Sequence, residues 1–120
     1  MTDPTLRRGD VVVCAFSGDY GKPRPAMVVQ SNAFNQHHES VVLCPMSSDL
    51  TGTELFRVRI PSSALNGLQT DSEVMVDKIV ASKRIRIRRN IGRLTPVQIK
   101  LVDAALRAWL DLPTFAQNLT

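Results

Sequence analysis

Residues 10–30, DVVVCAFSGDYGKPRPAMVVQ, contain two strand-like runs joined by a short turn. The first run, residues 10–16, is rich in β-branched residues and ends at SGDYG, a sequence typical of a turn or loop. The second run, residues 26–30, follows too soon for the helical crossover that parallel strands require. The stretch therefore predicts neighbouring antiparallel strands.

Four further runs have the length and composition of strands: residues 40–46 (SVVLCPM), 54–60 (ELFRVRI), 73–80 (EVMVDKIV) and 84–88 (RIRIR). The second of these alternates, with Phe56, Val58 and Ile60 on one face and arginines on the other, as in a half-buried strand. In the last run the same alternation predicts that Ile85 and Ile87 point inward and the arginines outward. We therefore expect about six strands with short connections, which is typical of a small antiparallel barrel.

The chain changes character at Thr95, where all the elements of a helix start are present. Thr95 supplies the N-cap, Pro96 takes the first helical position, and Gln98 completes a capping box. Leu94 and Ile99 have the spacing of a hydrophobic staple. The sequence therefore predicts a helix that begins at this point.

This helix presents one apolar stripe and is expected to stop at Pro113. The stripe is formed by residues that recur at helical spacing: Ile99, Val102, Leu106, Trp109 and Leu110. A stripe of this kind packs on a sheet. The predicted fold class is mainly β (α+β): a small β-barrel of about six strands with a C-terminal helix packed on the sheet.

The composition is that of one globular domain. A chain of 120 residues can bury roughly two-thirds of its unfolded surface without disulfides or metal, and we expect a single domain over residues 1–120 with its core at about 7–112. No apolar run approaches the roughly 20 residues that cross a bilayer, and the N-terminus lacks the apolar stretch of a signal peptide. We therefore expect a cytoplasmic protein without membrane association, in which Cys14 and Cys44 are buried free thiols.

The basic residues cluster near the C-terminal end of the predicted sheet. The chain has 15 Lys and Arg against 11 Asp and Glu. Seven of the 15 fall in one stretch that contains no acid: Lys78, Lys83, Arg84, Arg86, Arg88, Arg89 and Arg93. Such a stretch is either a solvated strand face that protects a sheet edge or a surface that binds nucleic-acid phosphates. The residues alone leave both interpretations open.

Two short segments carry candidate functional groups. Residues 21–26, GKPRPA, hold Arg24 between two prolines, which suits either a stiff strand entry or an arginine with a fixed direction. Ser47 and Ser48 follow the run at 40–46. They suit either a turn in which hydroxyls bond to the backbone, or a site where a hydroxyl and an arginine hold a phosphate between them.

The signatures of several common enzyme classes are missing, namely GxSxG, the Walker loop and HExxH. His37 and His38 are adjacent in a polar loop and lack the spacing that places two imidazoles on one helical face. We therefore expect no metal site. If the protein is an enzyme, its chemistry must use Arg, Ser, Asp or Lys.

Six segments follow one another over about residues 7–112: RRGDVVVCAF (7–16), KPRPAMVV (22–29), Phe34-Asn35, VVLCPMSS (41–48), VMVDKI (74–79) and IGRLTPVQIKLVDAAL (91–106). In this order they resemble the MazF/PemK family of toxins from bacterial toxin–antitoxin systems. The resemblance implies an SH3-like barrel with helical additions. It also implies a homodimer whose basic groove lies across the subunit interface.

The resemblance implies a ribosome-independent, sequence-selective endoribonuclease that cleaves single-stranded RNA, including mRNA, without a metal or other cofactor. In that reaction the ribose 2'-OH attacks the adjacent phosphate and leaves a 2',3'-cyclic phosphate and a 5'-OH. The resemblance gives Arg24 the central catalytic role and makes Ser47 the residue that holds the scissile phosphate. A fixed guanidinium suits a phosphorane-like transition state because it offers both charge and paired donors.

Arginine is a poor general base because its pKa lies above about 12. The resemblance implies Asp77 as a third catalytic residue, and Asp77 and Asp19 are the candidates for the base. Contacts with RNA are expected from a further set of residues: Tyr20, Lys22, Ser48, Lys78, Lys83, Arg84 and Arg86.

Three features depart from the family pattern, and one of them is Val80, which stands where a basic residue is common. The loop SGDYGKP, residues 17–23, is shorter than usual and lacks the usual glutamate, so no role of that loop is carried over. Lys78 stands where a glutamine follows the aspartate in most members. Replacing an amide by an ammonium exchanges a base contact for a phosphate contact, which predicts lower base selectivity.

The resemblance also implies a cognate antitoxin whose extended, acidic C-terminal segment binds the same groove and competes with RNA. Two alternatives stay open: a gyrase-poisoning toxin with the same barrel fold, and a simple RNA-binding module. The gyrase branch depends on residues at its C-terminal end, often with a tryptophan. Here the single tryptophan, Trp109, lies on the predicted apolar stripe instead.

Overall fold

A computed structural model describes residues 5–18, 22–50 and 55–113 of the chain. These residues form seven β-strands and one α-helix: β1 (Asp10–Ala15), β2 (Pro23–Val28), β3 (Ser40–Ser47), β4 (Arg57–Ile60), β5 (Ser72–Met75), β6 (Val80–Lys83), β7 (Ile87–Arg93) and α1 (Pro96–Leu110). Two single turns of 3-10 helix, Val76–Lys78 and Arg84–Arg86, flank β6. The predicted fold class, mainly β with a C-terminal helix, is confirmed.

Every paired strand is antiparallel to its neighbour, in the order β4-β5-β3-β2-β1-β7, with β6 also paired to β3. Among the described strands no pairing joins β4 to β7, so the sheet curves like a barrel without closing. The pairing of β1 with β2 is the hairpin that residues 10–30 predict. The order places β1 and β2 at the centre of the sheet between β3 and β7.

The prediction of a single strand at residues 73–80 is wrong, because the run is interrupted, and the described residues therefore form seven strands where about six were predicted. Its two parts both pair with the same side of β3: β5 lies opposite Met46 and Ser47, and β6 lies opposite residues 40–43. The 3-10 turn between them lies opposite Cys44 and Pro45. Since proline has no N–H to donate to a ladder, the break falls where continuous pairing is weakest.

The predicted strand at residues 84–88 is also wrong in its first half. Arg84–Arg86 forms a 3-10 turn that carries the chain from β6 beside β3 to β7 beside β1. Ile85 is 84% exposed, against the prediction that it points inward, whereas Ile87 is buried in β7. Alternation over five residues does not distinguish a short strand from a turn followed by a strand.

The two faces of the central strands bury separate apolar clusters. Val11, Met27 and Cys44 belong to the cluster beneath α1, and Val12 and Val28 belong to the cluster on the opposite face. The alternation follows from the strand repeat of two residues. Both faces of β1 and β2 are covered, which explains why these strands read as continuous apolar runs.

The prediction that both cysteines are buried free thiols is confirmed. Burial raises the pKa of the Cys14 thiol above its ordinary value of 9.0, although the Ser82 hydroxyl 3.4 Å away acts in the opposite direction. Burial raises the pKa of the Cys44 thiol to about 12. Both thiols therefore stay protonated at neutral pH.

Helix α1 begins as predicted. The Gln98 backbone N–H donates to the Thr95 hydroxyl (3.1 Å), and the Thr95 backbone N–H donates to the Gln98 side-chain oxygen (3.0 Å). The helix ends at Leu110, where Asp111 adopts left-handed backbone geometry two residues before Pro113. Within the described part of the chain, no helix is long and apolar enough to span a membrane.

The apolar stripe of α1 packs against β4 and the Val76–Lys78 turn. Val102 and Leu106 are buried, and the ring of Trp109 lies 5.0 Å from that of Phe56, centroid to centroid. The prediction that Trp109 belongs to this stripe is confirmed, although about half of its side chain stays exposed.

Candidate active site

The candidate site forms where β2 and β3 separate. The two strands pair only from Val28 opposite Leu43 to Ala26 opposite Pro45. Beyond this pair β3 continues next to β5, while β2 runs back through Pro25 and Pro23. Pro25 and Pro23 have no N–H groups with which to extend this ladder. The segment KPRPA thus contributes to opening a cleft as well as to fixing the backbone around Arg24.

This cleft is an open cavity of about 820 Å³. One wall is formed by Lys22, Pro23, Arg24 and Pro25 of the β2 entry. The facing wall is formed by the end of β3, and β7 and the loop before β5 complete the lining: Met46, Ser47, Ser48, Arg88, Arg89, Ile91, Gly67, Leu68, Gln69, Thr70 and Ser72. Its volume is in the range of small-molecule and cofactor sites.

Arg24 and Ser47 come together from different strands. Arg24 is half-buried near the start of β2 and pairs across the sheet with Cys14. The Ser47 hydroxyl accepts a hydrogen bond from the Asp49 backbone N–H (3.0 Å), as the turn interpretation of this segment predicts. Because that bond uses an oxygen lone pair, the hydroxyl proton stays available for a ligand. The turn and the phosphate-holding role are therefore compatible.

Arg88 and Arg89 reach the cavity through the register of three strands. Val13 of β1 pairs with Pro25 on one side and with Arg89 on the other, so β7 places its basic residues across from the β2 entry. Two irregularities in the β1–β7 register, at Val11/Val12 and Val13/Cys14, decide which residues of β7 face β1. The described residues that line the cavity include four cations and no acid, a balance suited to an anionic ligand.

Lys83 and Arg86 lie outside this cavity, in a neighbouring one of about 800 Å³. The two cavities share Gly18 and Arg88, so their basic linings are continuous. Exposed Ile85 also lines the second cavity. Part of the basic stretch at residues 78–93 therefore lies along one connected surface.

Arg84 has a structural role in the loop at residues 31–39. Its Nε donates to the His38 carbonyl oxygen (3.1 Å), its Nη2 donates to the Asn35 carbonyl oxygen, and its backbone N–H donates to the Glu39 carbonyl oxygen (2.8 Å). These bonds fasten the loop to the start of the Arg84–Arg86 turn. The guanidinium is thus engaged with the protein backbone.

Asp77 is not brought to Arg24. Both of its carboxylate oxygens accept from Arg57, Oδ1 from Nε (2.8 Å) and Oδ2 from Nη2 (3.0 Å), and the two side chains are only 15% and 16% exposed. Neither Asp77 nor the exposed Lys78 next to it lines the cavity. Tyr20 and Asp19 lie outside the described residues.

Gln69, Thr70, Arg88 and Arg89 were not among the predicted site residues, yet all four line the cavity. The two arginines lie within the basic stretch, but their position depends on the β1–β7 register. The signal for the other two was the Asn66-Gly67 dipeptide just before them, which marks a tight turn. Among the described residues, no three of the types His, Cys, Asp and Glu are grouped to hold a metal ion.

Comparison with known proteins agrees with this architecture. The model of the PemK-like, MazF-like toxin family of type II toxin–antitoxin systems matches residues 7–110. A curated relative, the probable endoribonuclease MazF of Mycolicibacterium smegmatis, is 34% identical over 108 residues, which cover 89% of this chain and 98% of the relative.

Solved structures share the fold. An endoribonuclease in complex with its cognate antitoxin, from a mycobacterial species, has a TM-score of 0.75 at 25% identity and covers 91% of this chain and 98% of its own. The toxin MazF-mt6 of Mycobacterium tuberculosis has a TM-score of 0.76 at 22% identity, covering 88% of this chain and 99% of its own. The chain belongs to the PemK-like, MazF-like family of toxins of type II toxin–antitoxin systems.

Proposed function

We propose that this toxin is an endoribonuclease that cleaves single-stranded RNA in the cavity between β2 and β3. One observation carries the proposal: Arg24 and Ser47 lie on the walls of one cavity where β2 and β3 separate, and every charged residue in the described part of its lining is cationic. The curated relatives named endoribonuclease support the reaction class. The basic lining suits a polyanionic substrate.

The proposed reaction transfers the phosphoryl group within the RNA. The ribose 2'-oxygen attacks phosphorus and loses its proton to a base, the bond from phosphorus to the 5'-oxygen breaks, and the leaving 5'-oxygen gains a proton. The products are a 2',3'-cyclic phosphate and a 5'-OH. Arg24 stabilises the additional negative charge on the phosphate oxygens, and its N–H groups lie next to the leaving oxygen as proton donors.

Ser47 donates its hydroxyl proton to a non-bridging phosphate oxygen, with Ser48 beside it. The backbone bond from Asp49 favours this orientation because it occupies the hydroxyl oxygen as an acceptor. Lys22 and the basic residues of β7 bind the flanking phosphates, and the proposed contacts continue to Lys83 and Arg86 in the neighbouring cavity. Lys78, Arg84 and Tyr20 stay predictions as RNA contacts.

Asp19 and Asp77 stay the two candidates for the general base, and Asp77 is also the catalytic aspartate that the resemblance implies. Its carboxylate is paired with Arg57. Asp77 can therefore act directly as the base only if this ion pair opens or if a second protomer completes the groove around the RNA. The proposal includes a homodimer and an acidic antitoxin segment that competes with RNA for the same basic lining. The proposal includes the cytoplasm as the site of action, because the proposed substrate is cellular RNA.

The test is cleavage of a long single-stranded RNA in EDTA, followed by mapping of the 5' ends. We expect 5'-OH ends, and we expect a single 2'-deoxy substitution at a cut site to abolish cleavage there, because the attacking oxygen is absent. Cleavage at the deoxy position would contradict 2'-OH attack. Inhibition of gyrase without RNA cleavage would favour the gyrase-poisoning alternative, and RNA binding without either would favour a simple binding module.

A further inference from the structure

Gln69 and Thr70 are two exposed side chains that line the same cavity as Arg24 and Ser47. They lie in the connection between β4 and β5, at residues 61–71. Among the described lining residues, Gln69 is the only one with a side-chain amide, which both donates and accepts hydrogen bonds. The lysine and arginines around it donate only, as phosphate-binding groups do.

The loop that carries these residues is organised around Asn66, which is 1% exposed. Its Nδ2 donates to the Pro61 carbonyl oxygen (2.9 Å), and its Oδ1 accepts from the backbone N–H groups of Ser63 and Leu68 (both 3.0 Å). One buried amide therefore fixes the loop on both sides of its turn. Such internal bonding reduces the number of conformations that the loop can adopt.

The loop is also fastened to β7. The Arg93 backbone N–H donates to the Leu65 carbonyl oxygen (3.0 Å). Gly67 adopts a φ of 69°, and a Cβ at this residue would overlap the carbonyl oxygen of Ile91. A Cβ at Gly92 would likewise overlap the Leu65 carbonyl oxygen. The two backbones approach closely only because both positions are glycine.

Two further bonds hold the end of the loop next to β5. The Ser62 backbone N–H donates to Asp71 Oδ1 (2.8 Å), and the Ser72 hydroxyl donates to the Thr70 carbonyl oxygen (3.0 Å). Gln69 therefore projects from a rigid support at a fixed position relative to the cavity. A preorganised loop backbone loses less entropy on binding, and this arrangement is typical of a recognition site.

We infer that Gln69, assisted by Thr70, reads the base of a nucleotide next to the scissile phosphate. The inference rests on the proposed function and assigns base selectivity to the same cavity. In single-stranded RNA the Watson–Crick edges are accessible, and an amide pairs with an edge that presents a donor beside an acceptor. Ile91, which is partly exposed, supplies apolar surface in the lining for the face of a base.

The test replaces the amide by a carboxylate of the same shape. Gln69→Glu leaves only acceptors, and guanine presents two adjacent donors, N1–H and N2–H. We expect the cut sites of Gln69→Glu to shift towards guanine at one position, by roughly tenfold relative to wild type. Gln69→Ala removes both the donor and the acceptor of the amide. We therefore expect this variant to lose base preference at that same position while still cutting RNA.

Gln36→Glu is the matched control, since it makes the same chemical change in the exposed loop at residues 31–39, away from both cavities. Its cut sites are expected to equal those of wild type. The measurement is the base frequency at each position around the cut sites of one RNA pool, after partial digestion by each variant.

Unchanged cut sites in both Gln69 variants would overturn the inference and leave the proposed function intact. Absence of cleavage by wild type would instead contradict the proposed function. In that case the affinities of wild type and Gln69→Glu for oligonucleotides that differ in one base test the inference separately. Equal base preference in this binding measurement would overturn it, and a shift towards guanine would support it.

Discussion

Ala26 of β2 and Pro45 of β3 form the last registered pair before these two strands separate. On one side of the gap lies Arg24, and on the other lies Ser47, which has no partner in β2 and pairs with β5 on the opposite edge of β3. A cavity thus forms at the rim of the sheet because prolines interrupt a ladder whose central residues are well packed. The same residues that end the pairing position the candidate catalytic groups.

Replacing Ser47 by alanine is expected to slow cleavage by about 100-fold, because one donor to a developing anionic oxygen is lost. The loss should fall on the rate constant of single-turnover cleavage, with little change in RNA affinity. Ser48→Ala is a matched comparison with a smaller expected effect, since Ser48 is the neighbour of the proposed phosphate-holding residue. Equal rates for wild type and Ser47→Ala would show that this hydroxyl does not contact the transition state.

Removing the two β7 cations of the cavity is expected to weaken RNA binding and its dependence on salt. For single strands the slope of log K against log salt is about −0.7 for each neutralised phosphate, so Arg88→Gln with Arg89→Gln should reduce its magnitude by roughly 1.4. Lys100→Gln removes an exposed cation on α1, outside both cavities, and should leave the slope unchanged. An unaltered slope in the double variant would exclude phosphate contacts at these arginines.

The ion pair between Arg57 and Asp77 is expected to contribute to stability. Both side chains are largely buried and joined by two hydrogen bonds, so Asp77→Asn should lower the free energy of unfolding by about 2 kcal/mol. Urea unfolding of wild type, the two single variants and the double variant with Arg57→Met gives the coupling free energy between the two side chains.

Cleavage by folded Asp77→Asn decides between two roles. Retained single-turnover cleavage would identify Asp77 as a structural partner of Arg57. A loss of cleavage rate greater than the unfolded fraction of the variant explains, together with an altered pH–rate profile, would support Asp77 as the base.

Several features of the fold follow directly from local sequence. The capping box of α1 and the β1–β2 hairpin depend on residues within a few positions of one another, and both were predicted correctly. Ile85 was misplaced because alternation carries no information about where a chain must turn between two distant strands. That turn is set by the pairing of β6 with β3 and of β7 with β1.

The residues of the candidate site were likewise predicted only in part. Arg24 and Ser47 stand at strand ends beside prolines, where the sequence itself signals a special position. The contribution of Arg89 depends on a bulged register with Val13, and that of Gln69 depends on a loop packed on β7. Both are long-range relationships that no local pattern encodes.

The buried thiol of Cys44 predicts a loss of stability at alkaline pH. Its folded pKa of about 12 exceeds the ordinary value of 9.0, so the folded state binds more protons than the unfolded state between these values. The contribution of this thiol to the free energy of unfolding is therefore fully present below about pH 9. It is lost as pH rises towards 12, by at most about 1.4 kcal/mol per pH unit. Denaturant unfolding from pH 8 to pH 11 measures the slope, and Cys44→Ala should reduce it, leaving the part that arises from the raised pKa of Cys14. An equal slope in that variant would assign the effect to other groups.

The most direct test of the central claim is single-turnover cleavage of one RNA in EDTA by wild type, Arg24→Lys and Arg24→Ala, with Arg107→Ala as an exposed control on α1. The account predicts that Arg24→Ala loses at least about 100-fold in rate while it stays folded and binds RNA. Arg24→Lys should regain only part of the rate, because an ammonium keeps the charge but not the paired donors. Cleavage by Arg24→Ala at the rate of wild type and of the control would contradict the assignment of the active site.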